Sequence, residues 1–258
     1  MLNAESRQRL KQILPAGLLA TKPWLVTQGL NPHFIDNAVK SQTLLTLTPG
    51  VYVRETSQVN WKGVVTSLQR MSLFPVHVGG LSALDLEGLA HYQSRSKHIH
   101  IELYAETALP AWLNKIDSNI HFAWHSTRRL WPASLMQEIR YLREDHWRES
   151  LPPLLYSTPE KAILEALVGV PTAMSFEHAD QLIQSLPTLS PKKVDALLRA
   201  SSSIKSKRLF LWLSQQHNHA WFKYLKPEEY DLGVGKREIA RGGRLDKTWN
   251  ITVPRESN

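Results

Sequence analysis

The 258-residue sequence contains no cysteine. Disulfides, thiolate zinc sites and a cysteine nucleophile are therefore excluded. No run of about 18 apolar residues occurs, the length a membrane-spanning helix needs, so no membrane partner is expected. The opening MLNAESRQRLKQIL has no apolar segment ahead of a small-residue cleavage site, and a cytoplasmic protein is expected. Acidic residues are outnumbered: Asp and Glu total 23 against 31 Lys and Arg, a net charge of +8. Such an excess favours phosphate-rich or anionic partners. Nucleophile-elbow, Walker, dinucleotide-binding, HExxH and EF-hand patterns are all missing, so no cofactor or metal is expected.

The hydrophobic content is 42%, enough at this length for two modest cores. Along the chain, the first helix is predicted over Glu5 to Leu14. Leu10, Ile13 and Leu14 make its buried face, and Pro15-Ala16-Gly17 stops it. Thr21 followed by Pro23 reads as the capped start of a second helix that ends near Gly29. Asn31-Pro32 repeats that signal for a third, from Pro32 to about Ser41. Phe34, Ile35, Ala38 and Val39 form its apolar side. His33, Asn37 and Lys40 form a polar stripe on the other side, at spacings of four and three. LLTLTPGVYVR then alternates apolar residues with threonine, turns at Pro49-Gly50 and returns through Val51 to Val53. Three helices followed by a hairpin is the order of a winged helix-turn-helix, in which the third helix enters the major groove. A small α+β core without DNA binding has the same order.

Beyond the hairpin, the pattern predicts a helix over Val59 to Met71, a strand at Val76-His77-Val78, and a helix from Leu81 to Gly88. The Gly79-Gly80 pair between them reads as a tight turn, with phosphate binding by free N–H groups the alternative. Strands are expected at 98–103 and 120–124, a short helix from Ala108 to Ile116, and helices at 175–186, 191–200, 206–217 and 219–225. Ser157-Thr158-Pro159-Glu160 opens another helix with Ile163, Leu164, Leu167 and Val168 on its buried stripe. Residues 126–156 give no clear pattern, and the last thirty residues return to strand and turn signals. The expected class is α+β: an N-terminal winged helix-turn-helix domain over 1–91 and a larger mixed α/β C-terminal domain over 92–258. The boundary signal, near 90–96, is weak.

Eleven histidines include the pairs His98/His100, His121/His125 and His217/His219. None has the spacing and setting of a metal site, and structural or surface roles are expected. Glu144-Asp145 and Glu228-Glu229 are chain neighbours that do not face one another, so they read as solvated. The cations are more suggestive. Lys192, Lys193, Arg199, Lys205, Lys207 and Arg208 are opposed only by Asp195. A second group holds Lys236, Arg237, Arg241, Arg244 and Lys247. A cationic face there would extend a DNA footprint or receive an acidic partner, and a solvated helix face is the alternative.

Several ordered segments together resemble the AbiEi antitoxins of bacterial type IV toxin–antitoxin, or abortive-infection, systems. They are VHVGGLSALDLEGLAHY at 76–92, LPAW at 109–112, STPEKAILEAL at 157–167, SKRLFLWL at 206–213 and YDLGVGKREIARGGRLDKTWNITVP at 230–254. Gly79, Gly80, Ala83, Leu84, Gly88, His91 and Tyr92 follow the family pattern, whereas Ser82 replaces its usual threonine. The resemblance implies a phage-defence autorepressor whose winged helix binds inverted repeats in its own promoter. It also implies that the C-terminal domain counters an AbiEii-like nucleotidyltransferase toxin without requiring a stable complex. In that frame His33, Asn37 and Lys40 would read bases or phosphates, and Thr46, Thr48 and Arg54 would contact the backbone. Lys192, Lys193, Lys205, Lys207, Arg208, Lys236, Arg237, Arg241 and Arg244 would form a basic antitoxin or DNA surface. The rival is a nuclease-like enzyme targeted by the winged helix; a third reading is an interaction scaffold.

Overall fold

The computed structural model describes residues 4–90, 99–117 and 119–255. The expected domain boundary, together with His91, Tyr92 and His98, lies outside them. The chain opens with helix α1 (Ala4–Ile13), strand β1 (Leu19–Thr21), helices α2 (Lys22–Thr27) and α3 (Pro32–Lys40), and the hairpin β2 (Leu45–Thr48) and β3 (Val51–Val53). The caps at Thr21 and Asn31 form as their residue types dictate, whereas Thr158, at the start of the helix expected from STPE, makes no side-chain cap bond. Thr21 Oγ1 accepts from the Trp24 N–H at 3.4 Å, and Asn31 Oδ1 accepts from the His33 N–H at 2.8 Å. Lys22 and Asp36 tie α2 to α3 with an ion pair of 2.5 Å.

Strand β1 gives no sequence signal because it is only three residues long, yet it completes a three-stranded antiparallel sheet in the order β1-β3-β2. The sheet separates two cores by its period of two. Ala20 faces a small core of Leu10, Leu14, Leu18, Leu25, Leu30, Ile35, Ala38 and Leu44. Leu19, Val51 and Val53 face the large core that continues through the rest of the chain. The hairpin differs from simple alternation. Its register shifts between Thr46 and Thr48, and this extra residue puts Thr48 inside, 8% exposed, while Thr46 stays in solvent.

Helix α4 (Trp61–Met71) covers the large-core side of the sheet, and the Ser67 hydroxyl accepts from the Leu19 N–H at 2.9 Å. The chain continues through β4 (Val76–Val78), α5 (Gly80–Leu86), β5 (Ile99–Ala105), β6 (Ile120–Ser126), β7 (Leu142–Asp145) and β8 (Leu154–Ser157). These strands form one sheet in the order β6-β5-β4-β8-β7, with β4 antiparallel to β5 and parallel to β8. All three residues of β4 are buried, as expected for a strand covered on both faces. Thus β4, early in the chain, belongs to the same sheet as β8, some eighty residues later.

Helices α6 (Pro159–Ala166), α7 (Phe176–Gln184), α8 (Pro191–Ala200) and α9 (Ile204–His217) follow, and β9 (Arg244–Asp246) pairs with β10 (Ile251–Val253) near the end. The helices predicted at Ala108–Ile116 and 219–225 each reduce to one 3₁₀ turn, at Leu113–Lys115 and Phe222–Tyr224.

Arg208, on α9, is 2% exposed and anchors the C-terminal segment. Its guanidinium donates to the carbonyls of Leu232 (2.7 Å), Gly233 (2.9 Å), Gly235 (2.7 Å) and Asn250 (2.9 Å). Four carbonyls thus depend on one buried, planar donor fork. Arg208→Met should destabilise the chain by about 3 kcal/mol. Urea unfolding measures that loss, and limited proteolysis should cut first within 230–250.

Candidate functional site

Two regions concentrate chemistry. The first is the exposed side of α3. His33, Asn37 and Lys40 are all in solvent, one helical turn apart, while Ile35 and Ala38 anchor the opposite side in the small core. Asp36 lies on the flank; its hydrogen bond to Lys22 holds its carboxyl below the ordinary range. From the hairpin, Thr46 is exposed. Arg54 is half-buried and donates to the Leu14 carbonyl at 3.4 Å. Thr48, expected to touch a backbone, is instead buried by the bulge.

The C-terminal cations do not form the continuous face that their sequence clustering suggests. Lys207 and Arg208 are buried, at 1% and 2%, because α9 is packed against α6 and α7 and under the C-terminal segment. Lys205 donates to the Val168 carbonyl at 2.9 Å. Arg199 is held by Asp195 at 2.9 Å and Glu229 at 2.5 Å. Of that group Lys192 and Arg199 are exposed, and Arg199 is already paired with carboxylates. Lys236, Arg237, Arg241, Arg244 and Lys247 do lie in solvent.

The second region was not singled out as a site from sequence. It lies where the Gly79-Gly80 turn meets β5, β6 and α6. Glu165, on α6, is fully buried and is met on every side. Oε1 accepts from Trp131 Nε1 at 3.1 Å and lies 2.9 Å from His77 Nε2. Oε2 accepts from the Ser157 hydroxyl at 2.8 Å and from the Gly80 N–H at 3.1 Å. Lys161, also fully buried, sits 3.6 Å from Oε1 and 3.0 Å from His77 Nε2. Burial pushes the Glu165 carboxyl up, but the charge of Lys161 and the contacts with His77 and Ser157 outweigh it and hold it below the ordinary range. Burial, reinforced by Lys161, pushes the His77 imidazole down and keeps it neutral.

The glycine turn shows why both positions carry no side chain. Gly80 has φ +54, and a Cβ there would collide with Glu102 Oε2; one at Gly79 would collide with Glu165 Oε2. The N–H groups that open α5 are taken by protein carboxylates. Gly80 donates to Glu165, and Leu81 donates to Glu102 Oε2 at 2.7 Å. The turn reading therefore accounts for the pair, and no N–H of Gly80 or Leu81 is left for a phosphate.

Glu102 and Glu165 line a cavity of about 290 Å³ with Tyr104, Trp124, His125 and Arg129. The Tyr104 and His125 rings stack at 4.8 Å. Burial raises the Glu102 carboxyl to about 7, opposed by the Leu81 N–H and reinforced by Glu165. Two further histidines have structural partners: His217 meets Asp180 at 2.7 Å and His219 meets the Ile183 carbonyl at 2.8 Å. Among the described residues no group of three or more His, Asp or Glu could hold a metal ion. In STPEKAILEAL, Lys161 and Glu165 stand four apart, but nothing in that spacing points to His77, Trp131 or Ser157 as their partners.

Comparison with known proteins covers nearly the whole chain. A family model described as "Transcriptional regulator, AbiEi antitoxin, Type IV TA system" matches residues 96–254. Another, "Transcriptional regulator, AbiEi antitoxin N-terminal domain", matches residues 3–94. No curated protein matches significantly. Among solved structures, the RV2827C protein from Mycobacterium tuberculosis is similar in fold at 14% sequence identity, with a TM-score of 0.50 over 91% of this chain and 85% of that one.

Glu102 yields a signed prediction. Its folded carboxyl keeps a proton up to about 7, whereas an ordinary glutamate carboxyl loses it near 4.5. Between those values the native state binds more protons, so the group's contribution to stability falls as pH rises. Glu102→Gln should therefore match the wild type near pH 4 and exceed it at pH 8 by up to about 3 kcal/mol. Urea unfolding at the two pH values checks this.

Proposed function

Because this chain belongs to the AbiEi antitoxin family of type IV toxin–antitoxin transcriptional regulators, we propose that residues 4–54 form a winged helix that binds and represses its own promoter. The observation that carries this reading is the exposed stripe of His33, Asn37 and Lys40 on a helix whose reverse side is fixed in a core. The hairpin follows directly, and its last strand pairs with β1 between α1 and α2. In this reading α3 lies in the major groove. Asn37 bonds an adenine edge, Lys40 meets a guanine or a phosphate, and His33 contacts the neighbouring base or backbone. Thr46 and Arg54 touch the sugar-phosphate chain, Arg54 by exchanging its bond to Leu14 for a phosphate. Thr48 serves the hairpin's packing.

Few cations line that stripe, so affinity must come partly from elsewhere. Lys192 and the exposed cations at 236–247 extend the footprint, or two chains bind an inverted repeat together. The C-terminal half counters a nucleotidyltransferase-like toxin encoded beside it, and the chain has no catalysis of its own.

A gel shift with the upstream intergenic DNA, in chelator and over a salt series, tests the first half. Lys40→Glu should weaken promoter binding by about tenfold and flatten the dependence of log affinity on log salt by about one unit. Asn37→Ala should relax sequence preference with little change in salt slope. Unchanged binding by both variants, or binding that requires a divalent ion, would overturn the reading. Rescue of toxin-arrested growth by the co-expressed full chain tests the second half.

A further inference from the structure

The cavity beside the Gly79-Gly80 turn has an unbalanced interior. Glu102 spends Oε2 on the Leu81 N–H. Its Oε1 accepts no hydrogen bond among the described residues and lies 3.7 Å from His125 Nε2, too far for one. That imidazole nitrogen is itself shielded from solvent and has no hydrogen-bond partner. No lysine or arginine pairs with Glu102 among the described residues, and the one buried ammonium nearby, Lys161, is committed to Glu165 and His77. Glu102 Oε1 and, with the ring proton on Nδ1, His125 Nε2 thus present two acceptors to a gap that no donor among the described residues fills, which is costly for the shielded imidazole nitrogen. The walls are aromatic and aliphatic: Tyr104, Trp124, Val168 and Met174.

We propose that this cavity binds an organic cation, an alkylammonium or guanidinium group, whose N–H donors bridge Glu102 Oε1 and His125 Nε2. The carbon chain of the ligand lies along Trp124, Val168 and Met174. An ammonium carries enough donors for both acceptors, and an aromatic face beside it adds cation–π attraction. Arg129, at the same cavity, suits a ligand that bears an anionic group at its far end. The cation has two sources: a free amine, or a lysine or arginine side chain of another protein.

Calorimetric titration of the full chain with n-butylammonium and agmatine tests the proposal, with n-butanol as the uncharged control. Both cations should bind, and n-butanol should bind at least about tenfold more weakly. The groups around Glu102 are Glu165 and Lys161 on α6, His77 on β4, Tyr104 on β5, His125 on β6, and Arg129 after it. Of these acids Glu102 titrates near neutrality, so affinity should fall about tenfold from pH 8 to pH 6 as the carboxylate takes its proton. Glu102→Gln, which keeps the acceptor for Leu81, should abolish that pH dependence and weaken binding at pH 8. His125→Ala should weaken binding and preserve the pH dependence. Capped N-acetyl-lysine and N-acetyl-arginine methylamides distinguish the sources: binding equal to that of the free amines assigns the site to a protein side chain, and binding by the free amines alone assigns it to a small molecule. No heat with either cation, equal binding of butanol, or unchanged binding by Glu102→Gln at pH 8 would overturn the proposal.

Discussion

One buried carboxylate organises the larger half of this molecule. Glu165 receives contacts from His77 on β4, Gly80 at the start of α5, Trp131 after β6, Ser157 at the end of β8, and Lys161 one turn back on its own helix. A charge removed from water is tolerated only when its partners are near and its lone pairs are filled, and here both conditions hold. The arrangement fixes where the helix sits on the sheet, because an apolar contact tolerates sliding and a set of directed hydrogen bonds does not. Gly79 and Gly80 are consequences of it: their Cβ atoms would occupy the space of Glu165 and Glu102.

The N-terminal and C-terminal parts are joined through packing as well as through the chain. The three-stranded sheet shows alternate residues to two cores, and its Val51 and Val53 share the large one with β4, β5 and α6. Across the junction Lys62 pairs with Asp145 at 2.7 Å and Arg70 donates to the Ile13 carbonyl at 3.1 Å. Arg148 reaches Gln58. The hairpin therefore stands on a foundation that includes residues from the second half of the sequence. Repression and toxin control, if carried by opposite ends, share one hydrophobic interior.

Local chemistry was the most legible part of the sequence. Thr21, Asn31, Ser175 and Ser190 all cap the helices that follow them, because a side-chain acceptor beside free N–H groups acts within three residues. The Pro49-Gly50 turn, with φ +79 at Gly50, is legible for the same reason. The polar stripe of His33, Asn37 and Lys40 on α3 followed from helical spacing alone, and its exposure is as expected. The buried cluster was not legible, since His77, Glu102, Trp131 and Glu165 come together only through sheet topology. Charge counting misled at Lys207 and Arg208: a cation in sequence says nothing about whether its head meets water or a ring of carbonyls. The bulge at Thr48 and the lone strand β1 escaped because each depends on a partner strand supplied elsewhere.

The central position of β4 has a bearing on how the protein comes into being. Its pairing partner β8 begins 78 residues after β4 begins, and its cap on Gly80 comes from a residue later still. During synthesis the small N-terminal core can close early, since its contacts are local. The larger sheet must wait: β4 can pair with β5 early, but its β8 edge stays open until the ribosome has delivered β8 and α6. A nascent chain interrupted before that point would hold a finished N-terminal core attached to an unfinished body, and its fate would be decided by chaperones and proteases.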